Sequence, residues 1–168
     1  MAGQAKFVAA YAHPFWRDDG LSGTAMSHCG PMAEIHDACD RDGSKAALFG
    51  FIGVPPSSRQ GMGEAVLCEQ ALGQLGRLFG SKALPSLWYA VQDWAQQPLT
   101  ATARDQFPVR QHPVYRAPFV PGAWQGRLWL AGTEFSPRSG GYLEGALESA
   151  EWAVKAMLAA DDRAEGAR

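Results

Sequence analysis

The sequence predicts an α+β fold built on an antiparallel sheet. Short segments rich in strand-forming residues alternate with turn residues over the first 52 positions, and helical periods follow at residues 62–79 and 142–158. Helices that come after strands, instead of alternating regularly with them, are typical of α+β proteins. We find no internal repeat, and 168 residues are enough for one sizeable core.

Four segments in the first third of the chain predict strands. Pro14 ends the first, and a Gly-Pro pair and the sequence CDRDGS separate the later ones, since these residues favour turns. We expect an antiparallel meander. The segments are residues 6–12, 22–27, 34–38 and 46–52.

Two helices are predicted from apolar residues that recur at three- and four-residue steps. The first covers residues 62–79 and ends at Gly80, a good C-terminal cap. The second covers residues 142–158. Its apolar side consists of Leu143, Leu147, Ala150, Val154 and Met157.

The remaining segments have simpler readings. Residues 87–94 and 127–132 have strand composition, and five prolines between positions 98 and 121 forbid long regular elements there. We therefore expect an ordered but irregular loop before the last strand. Residues 160–168 read as a solvated tail.

Composition excludes several classes of function. Fifteen basic and seventeen acidic side chains leave a net charge of −2, which offers no field for nucleic acid or an anionic membrane. No apolar run approaches the roughly 18 residues of a membrane span, and the N-terminus is a poor signal peptide, so we expect a soluble cytoplasmic protein. Three cysteines without C-x-x-C spacing suggest neither disulfides nor zinc.

Scattered nucleophiles and bases offer only a weak alternative. A hydrolase site could be assembled from Ser27, His28, His36 and Asp37, but the chain has no G-x-S-x-G elbow. The four histidines also lack ligand spacing, so we expect no metal site.

A glycine-rich loop before the second helix is the strongest local signal. Gly140 and Gly141 permit close backbone approaches, and the helix that follows offers free N–H groups and a positive dipole end. Gly145, one turn later, would let a flat ring lie close. A Gly-Gly pair before a helix is also a common loop device, so both interpretations stay open here.

Three ordered stretches together resemble one family. KFVAAYAHPFWR at the start, DWAQQPLTATARD in the middle and LAGTEFSPRSGGYLEGALESAE near the end resemble the FAD-dependent amine oxidases, the monoamine oxidase family. The resemblance implies the C-terminal portion of a bacterial-type enzyme. The expected structure is a partial amine oxidase fold, in which an antiparallel substrate-domain sheet with helices is followed by the last strand and helix of a Rossmann-like FAD domain.

The resemblance implies roles for residues in the first two stretches and in ALFGFIG. Lys6 matches the lysine that holds a water beside the flavin and assists its oxidation by oxygen, and Trp94 matches a tryptophan packed close to the flavin ring. Gly50 and Phe51 would line the substrate cavity. From the residues alone, Lys6 is more simply a solvated lysine. Trp94 is an ordinary core aromatic, which is compatible with packing on a flavin, and Phe51 is as readily a buried residue as a cavity-lining one.

The third stretch would hold the cofactor. By the same resemblance, Tyr142 is one wall of the aromatic cage that guides the amine to the flavin. The Leu143 amide meets the pyrimidine edge of the ring, next to Gly141. Thr133 and Glu134 face the ribityl and pyrophosphate region.

The chain also departs from the family pattern. Ala103 stands where animal members carry a flavin-linked cysteine, so the FAD should be bound non-covalently. Arg104 stands at the second cage tyrosine, which suits an amino-acid carboxylate better than an amine cation. The glycine fingerprint that holds the ADP half of FAD is absent, since GMGEAV at residues 61–66 lacks its third glycine.

These matches predict two parts, a substrate-binding portion at residues 1–125 and a C-terminal FAD-domain segment at residues 126–168. The implied reaction converts an amine, oxygen and water into an aldehyde or keto acid, ammonia and hydrogen peroxide. The alternative is an inactive remnant or a split-enzyme module that needs an N-terminal FAD-binding half as its partner. A homo-oligomer is also possible.

Overall fold

A computed structural model of the chain describes residues 3–107, 124 and 127–165, with side chains to residue 160. The chain forms two compact units, Met1–Arg110 and Gln111–Arg168, which are described separately below. The boundary predicted between residues 125 and 126 lies outside the described residues. Most of the proline-rich segment, from residue 108 onward, also lies outside them.

The N-terminal unit contains a five-stranded antiparallel sheet in the order β2-β3-β4-β1-β5. The predicted meander is therefore correct only for β2, β3 and β4. β1 lies between β4 and β5 instead of beside β2, so both of its edges are paired. Its alternate side chains are buried, as is typical of a strand inside a sheet. The strands are β1 (Ala5–Tyr11), β2 (Ala25–Met26), β3 (Met32–Asp37), β4 (Ala46–Ile52) and β5 (Trp88–Asp93).

Three helices accompany this sheet: α1 (Phe15–Asp18), α2 (Pro56–Met62) and α3 (Glu64–Phe79). The predicted helix began two residues too early, since Gly63 has a φ of +83° and separates α2 from α3. α3 ends before Gly80, as expected. Its apolar side packs into the core through Leu67, Ala71, Leu75 and Phe79.

Strand alternation gives this sheet a core face and an open face. In β1 the side chains of Ala5, Phe7, Ala9 and Tyr11 are buried, whereas Lys6 is exposed. Gln74 of α3 ties the helix to the core face, because its side-chain amide accepts from Met32 N (2.8 Å) and donates to Met32 O (2.7 Å). Helix α3 therefore covers one face only.

In the described part of the C-terminal unit, a loop with a short 3₁₀ turn (Thr133–Phe135) precedes helix α4 (Leu143–Glu165). The strand predicted at residues 127–132 is not formed. A strand needs a neighbour for its backbone groups, and the described part of this unit supplies none. The predicted tail was wrong at its start, because α4 continues through residue 165.

Helix α4 uses its small residues to contact the preceding loop. Gly145, Ser149 and Ala153, spaced four residues apart, are buried. The apolar side predicted from the sequence is exposed instead, with Leu143 89% and Leu147 64% exposed. The helix is thus correctly predicted, but the face it buries is not.

Candidate functional site

The open face of the sheet carries a lysine over two aromatic rings. Lys6 and Phe51 are direct partners across β1 and β4, and Val8 is opposite Phe49. The Lys6 ammonium lies 5.0 Å from the Phe51 ring centroid and 5.9 Å from that of Phe49. The quadrupole of each ring attracts this cation, which helps to hold Lys6 on the open face.

His36 extends this cluster from β3. Its ring stacks on Phe49 with centroids 5.1 Å apart and meets Phe51 edge-on at 6.2 Å. Its Nε2 lies 3.5 Å from Glu34 Oε2. Sequence reasoning missed His36 in this role, although alternation on paired strands brings residues 34 and 36 beside residues 49 and 51.

Gly50 and Phe51 lie on opposite faces of β4. A Cβ on Gly50 would come 2.4 Å from Met32 Sδ and 3.0 Å from Glu34 O, so the glycine admits the Met32 side chain into the core. Phe51 is half-buried on the open face. A cavity over the open face can therefore be lined by Phe51 but not by Gly50.

Trp94 follows β5 at the end of the sheet where Lys6 lies. It begins a 3₁₀ turn (Trp94–Gln96), and its N–H donates to Gln4 O at 3.0 Å. Its side chain is half-buried. Gln92, near the end of β5, pairs with Lys6 of β1. The fold therefore brings the Trp94 backbone to the start of β1.

The predicted residues of the C-terminal unit gather at the start of α4. Gly141 has a φ of +86°, a conformation that favours glycine. The Tyr142 carbonyl accepts from Thr133 Oγ1 (2.8 Å) and from Gly145 N (3.1 Å). Thr133 therefore fixes the first turn of the helix, while the Glu134 side chain is exposed.

The first backbone N–H groups of α4 point out of the N-terminal end of the helix. The intrahelical bonds begin with Gly145 and Ala146, both to Tyr142 O, so the amides of Leu143 and Glu144 precede them. Tyr142 is 62% exposed. This is the geometry that binds a carbonyl or an anion at a helix start.

Gly145 has a different use from the one expected. A Cβ there would come 2.1 Å from Ser139 O and 3.0 Å from Thr133 Oγ1, so the loop itself fills the space predicted for a flat ring. Glu148 holds the same loop by accepting from Ser136 Oγ at 2.6 Å and pairing with Arg138. These contacts keep the pKa of Glu148 below its usual value.

The hydrolase alternative gains no support from the geometry. The Asp37 carboxylate is occupied by Trp16, Arg17 and Cys39, and Ser27 Oγ bonds to Cys29 O at 3.0 Å. Burial opposes ionisation of Asp37, but these hydrogen bonds outweigh it and lower its pKa to about 2. It is therefore a structural acceptor.

Neither a cluster of metal ligands nor a membrane-crossing helix occurs among the described residues. No three of their His, Cys, Asp or Glu side chains gather as metal ligands would. None of the helices in that part of the chain has the length and apolar character needed to cross a membrane.

The residues present fit a flavin. In the N-terminal unit, the open face offers half-buried small and aromatic side chains beside Lys6. In the C-terminal unit, the start of α4 offers backbone amides and the exposed Tyr142 ring. Arg104 lies in another 3₁₀ turn (Ala103–Gln106) and is exposed, and Ala103 has no nucleophile for a covalent link.

This α+β arrangement matches solved amine oxidases in fold. The wild-type putrescine oxidase bound to putrescine matches with a TM-score of 0.67 at 20% identity, over 92% of this chain and 35% of that one. Cyclohexylamine oxidase from Brevibacterium oxydans matches with a TM-score of 0.64 at 24% identity, over 98% of this chain and 36% of that one. The predicted fold class is confirmed.

The family model for flavin-containing amine oxidoreductases matches residues 1–158, and the chain belongs to that family. It is 28% identical to an L-amino acid dehydrogenase of Synechocystis sp., over 91% of this chain and 32% of that protein. It is 29% identical to the flavin-containing amine oxidase B of Cavia porcellus, over 91% of this chain and 30% of that protein. The chain therefore spans about a third of the length of these relatives.

Proposed function

We propose that the chain acts within an FAD-dependent amine oxidase, which converts an amine, oxygen and water into an aldehyde or keto acid, ammonia and hydrogen peroxide. The observation that carries the proposal is Lys6, held over Phe51 and Phe49 on the open face of the sheet. Family membership supports an oxidoreductase that uses a flavin.

Each unit, taken by itself, carries residues to which the family resemblance gives a role in holding FAD. Trp94 would shield the flavin ring from water with its broad apolar surface. The Leu143 amide would donate to the ring, with Gly141 and Tyr142 beside it, and Thr133 and Glu134 would lie toward the phosphates. Binding would be non-covalent, since Ala103 cannot form a thioether. When bound, the flavin supplies the redox chemistry by taking two electrons from the amine and passing them to oxygen.

The open face would select the substrate. Phe51 and Phe49 offer an apolar surface, while Lys6 on the same face repels a second cation. The amine would therefore bind in its neutral form. Tyr142 would guide it as the one aromatic wall, because Arg104 replaces the other. Amino acids form a second substrate class, for which an arginine could pair with the carboxylate.

Lys6 would act on the oxygen half of the reaction. Its ammonium would hold a water and offer positive charge where oxygen gains electrons, and the two rings beneath it would restrict its movement.

A Lys6→Met variant of the complete enzyme tests this role. We expect the oxidation of reduced enzyme by oxygen to slow by about 10²-fold, as for the loss of one preorganised charge, while amine binding changes little. Stopped-flow absorbance measures the two half-reactions separately, with Lys45→Met as a control on the exposed surface. Equal losses in both half-reactions would refute the role.

A second candidate function is a module that needs the rest of an amine oxidase to act. It is favoured by the exposed apolar side of α4. Visible absorption of the purified chain with added FAD separates the two. Flavin bands that co-purify with the chain support cofactor binding by the chain alone. A colourless chain that associates with an N-terminal FAD-binding half supports the module.

A further inference from the structure

Arg59 is a buried arginine that sequence reasoning did not single out. Its side chain is 2% exposed, and it binds both oxygens of Asp93, with Nε 2.8 Å from Oδ2 and Nη2 2.7 Å from Oδ1. It also donates to Val54 O and, at 3.0 Å, to Gly3 O. Such a fork fixes direction as well as charge, which a lysine could not do.

Asp93 is the point where this arginine meets the end of β5. Asp93 Oδ1 also accepts from Ala95 N at 3.0 Å and so caps the 3₁₀ turn that begins at Trp94. Gln106 closes the turn from the other side by donating to Ala95 O at 2.7 Å. Gln4 therefore holds the Trp94 backbone directly, while Asp93 and Gln106 hold the backbone of Ala95 next to it.

The same arginine reaches the chain just before Lys6. Gly3, which accepts from Arg59, leads into β1, where Ala5 is the partner of Asp93 and Lys6 is the partner of Gln92. Ala5 is buried on the core face, while Lys6 is exposed on the open face. A single buried guanidinium thus ties together the segments that carry Lys6 and Trp94.

We propose that Arg59 and Asp93 form a positioning pair that sets the relative placement of Lys6 and Trp94. The proposal rests on the proposed function, in which Lys6 acts beside the flavin and Trp94 shields its ring. Arg59 touches neither reactant. It acts through the backbone of β1 and through the turn that Asp93 caps.

The chain offers a matched control at the other end of the sheet. Arg17 pairs with Asp37, the last residue of β3, with Nη2 2.8 Å from Oδ2. Asp37 Oδ1 accepts from Cys39 N at 2.8 Å, two residues on, as Asp93 accepts from Ala95 N. β4 aligns Asp37 with Leu48, and Leu48 with Ala9, so this pair lies away from Lys6.

The first experiment uses the chain alone and needs no cofactor. Backbone amide exchange is compared in Asp93→Asn and Asp37→Asn, since each change removes one carboxylate charge and leaves an oxygen for the cap. In Asp93→Asn we expect the amides of residues 4–6 and 94–97 to exchange about 10-fold faster, with β4 unchanged. In Asp37→Asn we expect faster exchange only for the amides near Cys39. A uniform rise across all strands in Asp93→Asn would overturn the proposal, because it would mark a purely structural pair.

The second experiment uses the complete flavin-loaded enzyme well below its melting temperature. Asp93→Asn and Arg59→Lys should each lower kcat about 10-fold with KM within about twofold, as for a misplaced reacting group, and Asp37→Asn should change neither. Equal kcat values for Asp93→Asn and Asp37→Asn would also overturn the pair's role. If the wild type oxidises no amine, the proposed function fails, and the exchange experiment still decides whether Arg59 and Asp93 order both segments.

Discussion

Helices α3 and α4 both carry apolar residues at helical spacing, but α3 buries them and α4 exposes them. Leu75 of α3 is 1% exposed, whereas Leu147 of α4 is 64% exposed. α3 lies on a sheet that its own unit provides. α4 contacts only a loop through Gly145, Ser149 and Ala153 in the described part of its unit.

The charges of α4 sharpen the contrast. At 100° per residue, the charged residues of its described side chains fall on one side, the small buried residues on a second and the large aliphatic residues on a third. A helix exposed to water on one whole side rarely keeps large apolar residues there. The charged residues are Glu144, Glu148, Glu151 and Lys155.

The largest expected difference comes from truncating one leucine in each helix. Leu75→Ala should destabilise the chain by about 2–5 kcal/mol, because it opens a cavity in a closed core. Leu147→Ala should change the free energy of unfolding by less than about 0.5 kcal/mol in the isolated chain. Urea unfolding followed by circular dichroism measures both. Similar losses would show that α4 is buried after all.

A second comparison concerns one polar side chain in each helix, which hydrogen-bonds to the N–H and C=O of a residue outside the helix. Gln74→Ala should destabilise by about 1–3 kcal/mol, because the N–H and C=O of Met32 are left buried without partners. Ser149 Oγ binds Gly132 N (3.0 Å) and Gly132 O (2.8 Å) in the same way, but Gly132 is half-exposed. Ser149→Ala should therefore cost about 1 kcal/mol or less, since water can replace the hydroxyl. A larger loss for Ser149→Ala would contradict this reading.

Alanine at a helix glycine should have opposite effects in the two helices. Gly145→Ala places a methyl group against Ser139 O and should destabilise by about 1–3 kcal/mol. At Gly73 of α3 a Cβ would meet only Arg77 Nη1, at 3.7 Å, so Gly73→Ala should stabilise by about 1 kcal/mol. Thermal unfolding midpoints measure the loss in one variant and the gain in the other. An unchanged midpoint for Gly145→Ala would mean that the loop moves to make room for the methyl group.

The smallest expected effect concerns Tyr11, a buried tyrosine of the N-terminal unit. Tyr11 donates to Ala83 O at 3.1 Å, and burial raises its pKa to about 12. The unfolded chain ionises this tyrosine near pH 10, so its contribution is complete below that pH and is lost as pH rises toward 12. We expect the wild type to lose about 1 kcal/mol more than Tyr11→Phe between pH 10 and 11.

Sequence reasoning located most elements of the N-terminal unit. The predicted strand at residues 46–52 coincides with β4, and the expected α3 starts only two residues early. It failed at residues 127–132, where strand composition is present but no described neighbour completes a ladder. Composition is a property of one segment, whereas a strand forms only when a second segment pairs with it.

The candidate site was predicted unevenly for a similar reason. Motif resemblance singled out Lys6 and Phe51, which the fold brings together across β1 and β4. His36 and Arg59 were missed, because each depends on a partner more than ten residues away in sequence, Phe49 and Asp93 respectively.

The sequence by itself determined the alternation in β1 and β4, the helical periods of α3 and α4, and the glycine that ends α3, because these follow from local spacing and backbone freedom. Only the tertiary structure decided that β1 lies inside the sheet between β4 and β5, that Gly50 and Phe51 lie on opposite faces, and that the apolar side of α4 is exposed. The physical reason is that periodicity divides an element into faces, whereas the burial of a face depends on which neighbours pack against it.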